Sequence, residues 1–201
     1  MKPILFNTEM VRATSRGRKT ATRRAVRKFS DTKGVRINKT ERGEFYVDVN
    51  GQPTDFQLHP PYLPGDILYV REKWAQPFLP DSDEIHYYAD YNNDDTVLRE
   101  GPYSDTVKVS AVKWRPSIFM PRSAARIFLR VTDVRVERLQ EITDEGARAE
   151  GVSHIGAPRT QFAVLWETTI GEKGHTEYGW AANPWVWVIE FERCKEPEAE
   201  I

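Results

Sequence analysis

The sequence predicts an α+β fold in which short strands build a small β-barrel and short helices flank it. Three observations support this prediction. Residues 44–49 and 126–136 alternate apolar and polar side chains, as half-buried strands do. Asn50-Gly51 follows the first of these segments and indicates a tight hairpin turn. Thr8 and Thr143 each precede a short stretch with acidic residues in its first turn, which predicts two short helices.

The remaining elements follow from turn residues and apolar runs. Pro53 makes the return strand of the hairpin an edge strand, because proline donates no ladder hydrogen bond. Pro64-Gly65 predicts a type II turn before a buried strand at 67–70. Residues 162–166 suggest another helix, and a closing strand, apolar on both faces, follows Pro184.

The domain organisation follows from length and composition. At 201 residues, the chain is long enough for one good core and short for two. We therefore expect a single domain over residues 1–194, with insertions at about 28–60 and about 75–120, and a polar tail at 195–201. The part of the second insertion at 76–105 is rich in Pro, Asp, Asn and Gly and predicts a long irregular loop.

Composition also limits the compartment and the cofactors. The longest apolar stretch, 185–189, is far too short to cross a bilayer, and the N-terminus has no signal pattern. The sole cysteine, Cys194, excludes an internal disulfide, and the four histidines form no His-x-x-x-His pair. We expect a cytoplasmic protein with no membrane partner, no metal and no cofactor.

The charge of the chain is unevenly distributed. Residues 1–42 contain 13 Lys and Arg but only 3 Asp and Glu, although the net charge of the whole chain is −1. A basic segment on an acidic remainder indicates an anion-binding face. Alternatively, these basic side chains pair with the acidic remainder inside the fold. Charge counts do not separate the two interpretations.

Four segments resemble the ASCH-domain family, and they occur in that family's order. The string Gly17-Arg18-Lys19-Thr20-Ala21-Thr22-Arg23-Arg24 resembles its Gly-x-Lys-Thr-x-Thr-x-Arg signature. Pro64-Gly65-Asp66-Ile67-Leu68, Thr143 to Glu150 and Val186 to Phe191 resemble its Gly-Asp strand entry, its short Thr-initiated helix and its closing aromatic strand. Segments 115–121 and 183–185 are similar to those of the larger phage and prophage members.

The resemblance implies a fold and an activity. The fold is a PUA-like barrel, which is associated with recognition of RNA and modified bases. The activity is that of amidohydrolases that remove the acetyl group from N4-acetylcytidine with a Lys, a Thr and a Glu. By position in the motifs, these roles fall on Lys19, Thr22 and Glu150, and the substrate is a nucleoside or RNA.

The chemistry of an amide hydrolase can be assigned to these residues. Thr22 would be the nucleophile, Lys19 the base that takes its proton, and Glu150 the acid that protonates the departing nitrogen. Lys19 must be neutral for this role, and we expect burial and the neighbouring arginines to disfavour its ammonium form. Residues three apart lie on opposite faces of a strand, so Lys19 and Thr22 can cooperate only across a turn or bulge.

Other interpretations of the same residues remain open. Lys19 and the arginines can simply bind phosphate or carboxylate, in a non-catalytic module that binds RNA or a modified base. A ribonuclease can use the same groups.

We predict that six side chains bind the substrate: Arg18, Arg23, Arg24, Tyr69, Glu72 and Trp74. We expect His86, His154 and His175 to be surface residues.

Overall fold

A computed structural model describes residues 1–27, 34–76, 85–91, 96–98, 106–152 and 156–197. The α-helices are α1 (Thr8–Ser15), α2 (Asp144–Ala149), α3 (Pro158–Thr169) and α4 (His175–Tyr178). The strands are β1 (Lys2–Leu5), β2 (Ala21–Ala25), β3 (Val35–Lys39), β4 (Phe45–Val49), β5 (Gln52–Leu58), β6 (Ile67–Arg71), β7 (Trp74–Ala75), β8 (His86–Tyr87), β9 (Thr96–Leu98), β10 (Thr106–Lys108), β11 (Phe128–Arg138) and β12 (Trp185–Cys194). The fold is therefore of the α+β class, as the sequence predicts.

The chain separates into two compact units. Unit 1 comprises Met1–Gly17, Ile67–Arg130 and Arg193–Ile201, and unit 2 comprises Arg18–Asp66 and Val131–Glu192. The single domain expected over residues 1–194 stays a prediction.

In unit 1, β6 pairs with β1 in parallel and with the first three residues of β11 in antiparallel orientation. Two short antiparallel pairs, β7 with β8 and β9 with β10, lie at the start of and within residues 75–120, where the sequence predicts an insertion. Asn7 caps α1, since its side chain accepts a hydrogen bond from the Met10 amide at 2.9 Å. The predicted cap, Thr8, is instead the first helical residue.

In unit 2, β12 lies between β2 and the remaining part of β11. A separate antiparallel sheet has the order β3-β4-β5, so β5 is an edge strand, as Pro53 predicts. The hairpin turn at Asn50-Gly51 is confirmed, with φ values of 53° and 81°. Two consecutive positive φ angles define a type I′ turn, which Asn-Gly favours.

The helices of unit 2 cover an apolar cluster. It comprises Leu139, Ile142, Ala147, Val152, Phe162, Trp166, Val186 and Val188. α2 begins as predicted, because the Thr143 hydroxyl accepts from the Gly146 amide at 3.0 Å. α3 is longer than the predicted 162–166, with Pro158 in its first turn, where proline costs no hydrogen bond.

The strand order within each unit is open over the described residues. A closed PUA-like barrel therefore stays a prediction. Residues 28–33 of the first predicted insertion, much of 76–105 and the end of the 195–201 tail lie outside the described residues. No helix among the described residues is long and apolar enough to cross a membrane.

Candidate functional site

Lys19 and Glu150 lie in adjacent backbone segments of unit 2, although 131 residues separate them. The two residues form an isolated antiparallel bridge. The Thr20 amide donates to the Ala149 carbonyl at 2.8 Å, and the Thr20 carbonyl accepts from the Phe191 amide at the same distance. The segment that leads into β2 is therefore held between the end of α2 and β12.

Glu150 is positioned by the end of α2. It is the C-terminal capping residue of this helix, and its amide donates to the carbonyls of Gly146 and Ala147. Gly151 follows at φ 91°, in the left-handed region that glycine favours, and turns the chain out of the helix. The carboxylate thus projects from a backbone that is fixed on both sides.

The Lys19 side chain is buried and has an acceptor for each of its ammonium hydrogens. Nζ donates to Oε2 of Glu150 at 2.6 Å, to the Ala21 carbonyl at 2.8 Å and to the Glu150 carbonyl at 3.1 Å. An ammonium group has three donors and no acceptor. The three acceptors around Nζ match these three donors, so the contacts fit an ion pair between the Lys19 ammonium and the Glu150 carboxylate.

Arg23 binds the second oxygen of the Glu150 carboxylate. Its Nη1 lies 3.2 Å from Oε1 of Glu150, while Nε and Nη2 both bind Oε1 of Glu137. Lys19 and Arg23 thus contact different oxygens of one buried carboxylate. For these two residues the structure agrees with the alternative interpretation, in which basic side chains of residues 1–42 pair with acids inside the fold.

Thr22 lies on β2 and is fully buried. Its hydroxyl oxygen accepts a hydrogen bond from Nη1 of Arg24 at 2.9 Å. Because Thr22 and Arg24 are two apart on a strand, they share one face, and Arg23 lies on the other. Residues 21–25 are thus a regular strand paired with β12, not the turn that would most simply join Lys19 to Thr22. Their cooperation stays a prediction.

The surroundings of Lys19 favour its neutral form more than water does for an exposed lysine. Burial lowers the pKa of the Lys19 amine, and the positive charges of Arg24 and Arg23 lower it further, while Glu150 opposes them. The net pKa shift is downward. The direction agrees with the chemistry assigned to Lys19, and burial is the largest cause.

Two residues near this site were not predicted from the sequence. Glu137 on β11 binds Arg23, as described above. The half-buried Tyr62 interacts electrostatically with Arg24, and its pKa is raised mainly by burial. Neither belongs to a segment that resembles the ASCH motifs. Only tertiary proximity identifies them.

The other predicted binding residues have contacts of their own. Arg18 donates to the Gly151 carbonyl at 3.3 Å in unit 2. Tyr69, Glu72 and Trp74 belong to unit 1. Tyr69 is half-buried on β6, and Trp74 is buried against Met120 and Ala124, the surroundings of a core residue.

Glu72 of unit 1 belongs to a charged network. It is 1% exposed, and its two oxygens accept from Nε and Nη2 of Arg126 at 2.9 and 3.0 Å. Arg126 also binds both oxygens of Asp90 and lies over the Tyr87 ring. Burial raises the pKa of Glu72, and Arg126 partly opposes this. A substrate role for Tyr69, Glu72 or Trp74 stays a prediction.

The histidines differ from expectation in one case. His86 is buried, with its Nδ1 3.1 Å from the Tyr91 hydroxyl, so its predicted surface position is wrong. His175 is exposed as expected, and His154 lies outside the described residues. Over the described part of the chain, no three His, Cys, Asp or Glu residues are grouped as metal ligands.

Comparisons with protein-family models, with curated proteins and with solved structures find no match to this chain.

Proposed function

We propose that this chain is an ASCH-type amidohydrolase that removes the acyl group from N4-acylated cytosine nucleosides, and that its strands form the PUA-like barrel of that family. The observation that carries the proposal is the buried pair of Lys19 Nζ and Glu150 Oε2, which are 2.6 Å apart. The motif resemblance assigns the base and the acid to these two residues.

The pair can supply both groups by moving a single proton. Transfer from the Lys19 ammonium to Glu150 produces a neutral amine, which is a base, and a carboxylic acid. Burial favours this neutral form, because it penalises separated charges more than neutral groups. The downward shift of the Lys19 pKa acts in the same direction.

Thr22 is the proposed nucleophile. Its oxygen accepts from Arg24, which leaves the hydroxyl hydrogen for a base. The guanidinium also stabilises negative charge as it develops on this oxygen, as a pre-positioned cationic donor does in a site that excludes water. Arg24 is partly buried, and burial lowers its pKa, yet an arginine stays protonated.

In the acylation step, Thr22 Oγ1 attacks the acyl carbon and its proton passes to neutral Lys19. Protonated Glu150 then gives its proton to N4 as the C–N bond breaks, which releases the cytosine nucleoside. In the second step, water attacks the Thr22 ester, again with neutral Lys19 as base and Glu150 as acid to the Thr22 oxygen. The products are the free carboxylic acid and the resting Lys19–Glu150 ion pair.

The experiment is hydrolysis of N4-acetylcytidine by the purified chain, with release of cytidine followed by chromatography. We expect turnover in the parent protein and a loss of about 10²–10⁴-fold in Lys19→Met and Glu150→Gln. Thr22→Val should abolish formation of an acyl-protein adduct detected by mass spectrometry. Thr20→Val, at an exposed position two residues earlier, is the matched control.

Two outcomes would reject this function. One is absence of turnover in correctly folded protein, and the other is full activity of Thr22→Val. Fragmentation of an RNA substrate with N4-acetylcytidine left intact would favour a ribonuclease instead.

A further inference from the structure

The segment Lys113–Arg122 of unit 1, named here the Phe119 loop, presents two large apolar side chains to solvent. Ile118 is 57% exposed and Phe119 is 69% exposed. Both lie in the 3-10 turn Ser117–Phe119. Single exposed apolar residues are ordinary on protein surfaces, but an adjacent pair of this size is a candidate contact surface.

The exposure is a consequence of a well-anchored backbone. On one side of the turn, Arg115 and Trp74 exchange two backbone hydrogen bonds, of 2.7 and 3.2 Å. On the other side, Met120 is fully buried, and its carbonyl accepts from Nε of Arg71 at 2.8 Å. Because the backbone is hydrogen-bonded before and after the turn, Phe119 has a fixed position on the surface.

The sequence that flanks the exposed pair is basic. Residues 106–130 contain six Lys and Arg residues and no Asp or Glu, and one of the six, Arg126, is paired with Glu72 and Asp90. Within the Phe119 loop, Lys113, Arg115 and Arg122 are all exposed. The side chains of Lys113 and Arg122 form no hydrogen bond or ion pair with any residue that the structure describes. Their charge is therefore available to an external anion.

We propose that the Phe119 loop binds single-stranded nucleic acid, with Phe119 stacked on a base and Lys113, Arg115 and Arg122 contacting phosphates. Single strands are bound without sequence preference by aromatic side chains set among cations, since every base has a stacking face and every nucleotide a phosphate. An interfacial membrane site needs a broader apolar face than two side chains provide. Neither the apolar nor the basic side chains of the Phe119 loop belong to the Lys19 site, so this proposal does not depend on the proposed hydrolase activity.

The test is fluorescence anisotropy of labelled oligo(U) and oligo(dT) titrated with the full chain at several salt concentrations. We expect the dissociation constant for either oligonucleotide to rise with salt, with a logarithmic slope of about 2 if three phosphates are contacted. Phe119→Ala should weaken binding at least about fivefold, which is the lower limit for loss of one stacked base. Arg122→Ser should weaken binding and reduce the slope by about 0.7.

Matched controls are available in unit 2. Val164→Ala removes an apolar side chain that is 63% exposed on α3, and Lys173→Ser removes an exposed lysine outside the basic segment 1–42. Both should leave binding unchanged. The proposal is overturned if the chain binds neither oligonucleotide at low salt, or if Phe119→Ala and Arg122→Ser bind as tightly as the parent. Tighter binding to anionic lipid vesicles or to polyglutamate than to the oligonucleotides would also overturn it.

Discussion

The amine of Lys19 and the carboxylate of Glu150 form an ion pair of 2.6 Å in which both side chains are almost completely removed from solvent. Arg23 occupies the other oxygen of the same carboxylate. One acid thus neutralises two buried cations that lie before and within β2, and its removal leaves both of them without this partner.

The first prediction concerns stability. Glu150→Gln should lower the free energy of unfolding by about 3–5 kcal/mol, because it leaves buried positive charge uncompensated. Glu145→Gln on the same helix is the control, since Glu145 is 82% exposed and its pair with Arg148 should contribute little. Urea denaturation of the two variants measures the difference. Equal stability of both variants would contradict a buried ion pair.

The second prediction concerns pH. The form of the pair that reacts, neutral Lys19 with protonated Glu150, holds the same single proton as the ion pair, so hydrolysis should decrease with pH as the pair loses that proton. Since the pKa of Lys19 is lowered, this decrease should occur at lower pH than the titration of an ordinary lysine. Arg24→Gln removes a charge that lowers this pKa and should move the decrease to higher pH, whatever its effect on the maximal rate.

The pH profile of kcat/KM with N4-acetylcytidine gives this measurement. Arg27→Gln, at an exposed position beyond β2, should leave the profile in place. A profile that is unchanged in Arg24→Gln would exclude Lys19 as the titrating base.

The third prediction concerns Glu137, which lies 18% exposed and binds Arg23. Glu137→Gln should destabilise the chain by about 1.5–3 kcal/mol, the usual contribution of hydrogen bonds to charged groups. The loss should be smaller than that of Glu150→Gln, because Arg23 retains its bond to Glu150. Thermal unfolding of the two variants checks this order, and the reverse order would show that Glu137 is the main partner of Arg23.

The fourth prediction concerns the Glu72–Arg126 pair of unit 1. Arg126→Met should cost about 3–5 kcal/mol, because it leaves a buried carboxylate without its cation. Glu72→Gln should cost less, since the amide oxygen still accepts from Arg126. The double variant should be more stable than the sum of the two losses implies, because it removes the unpaired charge. Strict additivity of the two losses would show that the pair is not coupled.

Local signals in the sequence determined much of the secondary structure. Asn50-Gly51 sets its own turn, because these residues accept positive φ, and Thr143 caps α2 with a hydroxyl three residues from its donor. Such features depend on neighbours within a few positions. The choice of Asn7 over Thr8 as the cap of α1 depends instead on where the chain turns into the helix, which neither side chain determines alone.

The candidate site also combines features that the sequence predicts with features that only the tertiary structure shows. The motif order was sufficient to nominate Lys19, Thr22 and Glu150. The expected burial and the neighbouring arginines together predicted the direction of the Lys19 pKa shift, of which burial is the largest cause. Only the tertiary structure decided that Lys19 and Glu150 are buried partners, that Arg24 binds the Thr22 hydroxyl, and that Glu137 and Tyr62 belong to the surroundings. The physical reason is that the pairs of Lys19 and Arg23 with Glu150 and Glu137 join segments more than a hundred residues apart, whose approach depends on the packing of α2 and β12 around β2 and on no short-range pattern.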